Sequence, residues 1–312
     1  MQDAPLLEDI AGGPEGGRAV WVMAEDGVRL RVGHWPAGDG RGTVLLFPGR
    51  TEFIEKYGRA ARDLGALGYG TLAIDWRGQG LSDRLVQDAM TGHVRDFGDY
   101  QADVAAMIRA ARALDLPRPW HLLAHSMGGA IGLRAVARGL PVATCAFTAP
   151  MWGIGMRAAV RPLAWSLGWA SRHVGLGHAY APGTGRGSYL QATPFETNDL
   201  TRDADMYAHM QAQLAACPAL ALGGPSLQWL FGAVRECRRL HALPSPALPC
   251  LTFIGTDERI VDTARIDARM ARWHGGVLRT LDGARHEPMM DVPQTRQAIW
   301  DMLQTLWQAH SR

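Results

Sequence analysis

Ser126 ends the run Trp120-His121-Leu122-Leu123-Ala124-His125, and Met127-Gly128-Gly129 follows it before a small-residue helical pattern that continues to Ala137. A serine on so sharp a strand-to-helix turn projects its hydroxyl above a sheet edge, the setting of an activated nucleophile. Its neighbours must lack bulk, which Gly128 satisfies on the helix side, whereas Ala124 stands where such turns usually carry glycine. The pentapeptide alone is weak, because a serine there can equally cap the helix. What gives it weight is a base and an acid placed later in the chain.

A serine nucleophile needs a general base, and the base needs an acid to hold its other N–H. On doubly wound sheets these follow in the order serine, acid, histidine, each in a loop after a strand. Of eleven histidines, His286 sits in Asp282-Gly283-Ala284-Arg285-His286-Glu287-Pro288, just beyond the last expected strand. His125 abuts the serine but points away from it, His121 lies inside a strand, and His93 suits a structural hydrogen bond. His173, His178 and His209 fall in a later helical region, where surface or packing roles are favoured over lining a pocket. The acid belongs in Thr256-Asp257-Glu258-Arg259, after the strand ending at Gly255. Counting from that glycine selects Glu258, with Asp257 as the alternative and Asp262 as a helix cap. The oxyanion formed on attack needs preset N–H donors. These are assigned to the backbones of Met127 and of Arg50, in Pro48-Gly49-Arg50 after the run Thr43–Phe47. The Arg50 side chain is left open between an anionic head group and solvent.

The elements that must carry these residues alternate. Ala19–Met23 and Val28–Gly33 read as a hairpin around Glu25-Asp26-Gly27. Thr43–Phe47, Thr71–Ile74, Trp120–His125, Val142–Phe147, Pro249–Gly255 and Val277–Leu281 read as strands, most of them buried on both faces. Helical patterns cover Glu52–Leu67, Tyr100–Leu114, Thr263–Trp273 and Gln294–Trp307. The expected fold is α/β, a mainly parallel sheet with helices on both faces. Residues 1–150 and 244–312 form its two parts, and residues 151–243, rich in Trp, Met, Arg and Gly, form a helical cap inserted over the strand ends.

At 312 residues, with 47% hydrophobic and 20% charged residues, the composition is that of a soluble globular protein. A net charge of +2 suggests neither nucleic acid nor an anionic membrane as partner. Lys56 is the single lysine, which excludes a Walker A loop. Cys145, Cys217, Cys237 and Cys250 are scattered, so buried free thiols are expected rather than a metal cluster or disulfide framework. Met1–Gly17 lacks the charge and apolar pattern of a signal peptide, and no apolar run reaches membrane-spanning length. A cytoplasmic protein, in contact with membranes at most from the side, is expected.

Ala124-His125-Ser126-Met127-Gly128-Gly129, Asp75-Trp76-Arg77-Gly78-Gln79-Gly80-Leu81-Ser82, Gly255–Asp262 and Gly283–Glu287 resemble the serine lysophospholipase and monoacylglycerol lipase group of α/β-hydrolases. The resemblance covers most of the chain, and reaches weakly into the insertion through Asn198-Asp199-Leu200-Thr201 and Ala221–Pro225. It implies an α/β-hydrolase fold, a single-chain lipid ester as substrate, no metal or organic cofactor, and an acid at Glu258. The chain departs from the group at Pro48, where histidine usually precedes the glycine, and at Ala124. Other substrates on the same machinery (a soluble ester or thioester, acyl transfer) stay open, because fold does not fix substrate. A non-catalytic binding protein is disfavoured by the retention of serine, acid and histidine.

The insertion carries Met151, Trp152, Ile154, Met156, Trp165, Leu167, Trp169, Met206, Tyr207 and Met210. Most are expected to pack the insertion itself, with Met151, Trp152 and Met206 presented to the acyl chain, since Met and Trp suit an adaptable apolar channel. Met156–His173, with Arg157, Arg161 and Arg172 among Trp and Leu, is a surface helix or a membrane-resting one.

Overall fold

The computed structural model describes residues 1–38, 40–156, 166, 168–171 and 174–311. The strands are β1 (Gln2–Ala4), β2 (Arg18–Met23), β3 (Arg29–Trp35), β4 (Thr43–Phe47), β5 (Gly70–Asp75), β6 (Trp120–His125), β7 (Thr144–Thr148), β8 (Cys250–Gly255) and β9 (Gly276–Leu281). They join one sheet in the order β1-β2-β3-β5-β4-β6-β7-β8-β9. The first three and the β3–β5 pair are antiparallel. All pairings from β5 to β9 are parallel.

The continuous apolar runs are explained by the two layers they serve. Leu45 and Phe47 of β4 enter a first core with Leu122 and Ala124, whereas Val44 and Leu46 enter a second core, on the opposite face, with Leu123. Side chains alternate across a strand, so a strand covered on both faces must be apolar at every position. The second core is closed by α1 (Gly58–Ala66), later by α4 (Ala204–Ala216) and α7 (Pro293–Gln308), through Leu64, Tyr207, Met210, Trp300 and Trp307. The first is closed by α2 (Tyr100–Ala113), α3 (Ser126–Ala137), α5 (Leu227–Ala242) and α6 (Thr263–Met270), through Met107, Ile131, Trp229 and Ile266. The expected mainly parallel sheet with helices on both faces is thus present.

Two local differences have physical causes. β1 was not expected, because Gln2-Asp3-Ala4 has no apolar alternation; it pairs with β2 in the register Gln2↔Trp21 at the sheet edge. The helix expected from Glu52 begins as a 3-10 turn, Ile54–Tyr57, and becomes α1 only at Gly58. Ala11 passes so close there that a Cβ on Gly58 would lie 2.2 Å from its carbonyl oxygen. Between β7 and β8 the described residues contribute no strand to the sheet. Most of Met156–His173, including Arg157, Arg161, Trp165, Leu167, Arg172 and His173, lies outside the described residues. Among the described residues no helix is long and apolar enough to cross a membrane.

Candidate active site

β6 ends at His125, α3 begins at Ser126, and the serine takes φ 48°, a left-handed conformation that a side-chain-bearing residue adopts only where its surroundings enforce it. The enforcement is visible. A Cβ on Gly128 would stand 2.1 Å from the Phe47 carbonyl oxygen and 2.5 Å from that of Pro48, so only glycine lets α3 approach the end of β4. The Ser126 carbonyl accepts from the Met151 N–H at 2.8 Å. Ala124, in place of the usual glycine, is fully buried in the core beside Leu122 and Phe147.

His286 Nε2 lies 2.9 Å from Ser126 Oγ, and its Nδ1 lies 2.8 Å from Glu258 Oε2. The other Glu258 oxygen accepts from the backbone N–H groups of Ile260 at 2.6 Å and Val261 at 3.0 Å. Burial pushes the Glu258 carboxyl up, but the hydrogen bond and charge of His286 and the two N–H groups outweigh it and hold the pKa below the ordinary value. Asp257, the alternative acid, is exposed. Asp262 stands at the N-cap position of α6, where its side chain makes no capping hydrogen bond. The His286 and Glu287 N–H groups donate to the Asp199 and Leu200 carbonyls, which brings the Asn198–Thr201 segment against the histidine loop. His121 bonds Thr144 Oγ1 and His93 bonds Ser226 Oγ, each at 2.9 Å.

Arg50 follows β4 and lines the same cavity as Ser126, and Met127 is the second residue of α3, directly after the serine at that helix's N-terminus. The turn at Gly49 is held from two sides. Gln79 Nε2 donates to the Gly49 carbonyl at 3.0 Å and its Oε1 accepts from the Thr51 N–H at 3.1 Å. The Gly49 N–H itself donates to Glu52.

Glu52 belongs to a buried cluster that the sequence reading missed. Lys56 Nζ lies 2.6 Å from both Glu52 Oε1 and Glu287 Oε1, and Tyr57 Oη donates to Glu52. His125 turns away from Ser126, as expected, and its Nε2 faces Glu287 Oε2 at 3.3 Å with poor hydrogen-bond alignment. Burial would discharge Lys56 and His125, but Glu287 and Glu52 raise both pKa values. Glu287 is likewise held well below its ordinary value against burial, by Lys56 and His125. Glu52, His125 and Glu287 offer three ligand atoms within 4.8 Å of one another, and the cation that their carboxylates bind is the Lys56 ammonium. The available signal was the Glu52/Lys56 spacing of one helical turn around the only lysine.

Ser126 and His286 open onto a cavity of about 600 Å³. Its wall is largely apolar, with Met151, Ile154, Leu190, Leu200, Met210, Leu222 and Trp229. Of the three residues expected to meet substrate, Met151 lines the cavity; Trp152 and Met206 do not. The Trp152 indole packs on Phe147 and Trp273 and donates to the Gly129 carbonyl at 3.1 Å. Met206 is buried in the second core against Arg59, and Met210, one turn further along α4, faces the cavity instead.

Residues 38–293 match the family described as serine aminopeptidase, S33. Lysophospholipase L2 of Escherichia coli is 34% identical over 296 residues, covering 91% of this chain and 84% of that protein. Probable lysophospholipase L2 of Haemophilus influenzae is 29% identical, with 83% and 81% covered. Among solved structures, a soluble variant of Saccharomyces cerevisiae monoglyceride lipase in complex with a substrate analog superposes with TM-score 0.71 at 19% identity, covering 93% of this chain and 95% of that one. The chain belongs to the serine aminopeptidase S33 family of α/β-hydrolases and, within it, to the carboxylic ester hydrolases related to lysophospholipase L2.

Proposed function

We propose that the chain cleaves the carboxylic ester of a single-chain lipid, a lysophospholipid or a monoacylglycerol, through an acyl-enzyme on Ser126. The observation that carries this reading is the Glu258–His286–Ser126 chain of hydrogen bonds, at 2.8 and 2.9 Å, ending at a largely apolar cavity of about 600 Å³. His286 Nε2 takes the Ser126 proton as Oγ attacks the acyl carbonyl, and Glu258 keeps the proton on Nδ1 and stabilises the imidazolium. The backbone N–H groups of Met127 and Arg50 receive the oxyanion. His286 returns the proton to the leaving alcohol, then activates a water that releases the fatty acid. Residues 151–243 act as a helical cap that closes the acyl cavity over the strand ends. The names of the relatives, lysophospholipase L2 and monoglyceride lipase, agree with a substrate of this class.

Fatty-acid release from a lysophospholipid and from a monoacylglycerol of equal chain length, with Ser126→Ala alongside, tests the reading. Loss of about four to six orders of magnitude in kcat in the variant is expected if serine, base and acid act as a unit. Cleavage of a short p-nitrophenyl ester through Ser126 with both lipids left intact would refute the substrate and leave the chemistry standing.

A further inference from the structure

Among the described residues, the Arg50 side chain is a cation without a counter-ion at the wall of the acyl cavity. The other charged groups there are compensated: Lys56 pairs with Glu52 and Glu287. Arg50 Nη2 donates to the Gly223 carbonyl at 2.6 Å, and Cζ stands 5.2 Å from the Trp229 ring centroid. Among the described residues no carboxylate pairs with it, and its Nε is buried without a hydrogen-bond partner. Burial pushes the guanidinium pKa down, to about 10, so it is still charged at neutral pH. A buried charge is costly unless an opposite charge meets it. Here the protein supplies a carbonyl dipole and an aromatic face, which orient a guanidinium without neutralising it. Gly92 makes room for it, because a Cβ there would lie 2.4 Å from Nη2.

We propose that the Arg50 guanidinium is a subsite for the phosphodiester of the substrate's head group, and that it makes the enzyme prefer a lysophospholipid to a neutral monoacylglycerol. The proposal rests on the reading above, in which the Arg50 N–H holds the acyl carbonyl oxygen. From that nitrogen to Cζ there are as many covalent bonds as from the acyl carbonyl carbon of a 1-acyl lysophospholipid to its phosphorus. One residue can therefore hold the ester with its backbone and reach the phosphate with its side chain. The planar fork suits two phosphate oxygens, and a free glycerol hydroxyl would leave the charge unmet.

The test compares kcat/KM for a lysophosphatidylcholine, a monoacylglycerol and a p-nitrophenyl ester of the same fatty acid, in wild type, Arg50→Lys and Arg50→Met. In Arg50→Met the preference for the lysophosphatidylcholine over each neutral ester should fall about 10- to 100-fold, mainly through KM, as expected for loss of a charge-assisted contact. Arg50→Lys should retain part of it. Glycerophosphocholine should inhibit wild-type hydrolysis of the p-nitrophenyl ester competitively and lose that effect in Arg50→Met. Inhibition by inorganic phosphate alone would mean a free-anion site and overturn the head-group assignment. Equal losses on all three esters would also overturn the proposal, since that is the result of merely untying Arg50 from Gly223. A wild type that cleaves only the p-nitrophenyl ester would instead remove the lipid reading on which the proposal depends.

Discussion

The Glu258 carboxylate has both oxygens committed, one to His286 and one to two backbone N–H groups, so its orientation is fixed before substrate arrives. Glu258→Gln should keep the loop but misplace the Nδ1 proton, cutting kcat by about three to four orders of magnitude. Asp257→Asn, at an exposed position, should stay near wild type; the reverse pattern in steady-state kinetics would show that the wrong carboxylate is credited. Lys56 supports the site less directly, through Glu52 at the Gly49 turn and Glu287 beside the base. Lys56→Arg forces a longer, planar head into a place fitted to a compact ammonium, and Lys56→Met leaves two buried carboxylates facing each other. Both should lower kcat more than they raise KM, with Met the more damaging to Tm. Ser126 and His286 were legible because each sits in a loop whose position in the chain order is diagnostic. The cluster behind them was not, since Glu52, His125 and Glu287 lie on three segments far apart in the chain that meet only in the folded protein. Trp152 and Met206 were misjudged for a related reason: apolar composition marks a buried residue but not which cavity or core it faces.

At the scale of the element, the elbow is a place where two backbones touch. Gly128→Ala adds a helix-favouring methyl, worth up to about 1 kcal/mol in an open helix. The methyl would meet the Phe47 and Pro48 carbonyl oxygens, and backbone cannot yield as a side-chain tip does. We expect a net loss of about 1–3 kcal/mol, read as a lower Tm, together with loss of activity on short and long esters alike. Gly65→Ala in α1 has nothing within 4 Å of the new methyl and should stabilise by roughly 0.5–1 kcal/mol. A Gly128→Ala protein as stable as Gly65→Ala would contradict this account of the turn. The elbow could be recognised from sequence by its strand, serine and glycines. The turn at Gly49 could not be fully read, because Gln79 and Glu52 hold it where the group's usual histidine is absent.

At the scale of the molecule, the two buried carboxylates on either side of the base share one titration sign, whereas burial raises Asp103 and Glu55, the opposite sign. Glu258 and Glu287 have folded pKa values below their ordinary ones, so the unfolded chain takes up protons first as pH falls. Their contribution is present above about pH 4.3 and is lost as pH falls through the lower folded values. His125, raised in the folded state, acts oppositely: its contribution is present below its ordinary pKa and fades as pH rises through the folded one. Thermal melts should therefore decline below about pH 4.5, with a shallower acid dependence in Lys56→Met. An unchanged slope would exclude the cluster as its source. The sheet was readable in advance because strands covered on both faces are apolar throughout and end in the loops that carry the chemistry. The edge strand β1 was not, because three residues, two of them exposed, leave no pattern.

Lys56 is the only lysine among 312 residues, and it is 3% exposed. The folded surface carries its positive charge as arginine, so reagents and enzymes that acylate, cross-link or tag ε-amines find none there. Such reactivity at Lys56 would report opening of the core beneath the base. Lysine labelled with nitrogen-15 at Nζ would give a single ammonium resonance, already assigned by composition, reporting directly from the base of the site.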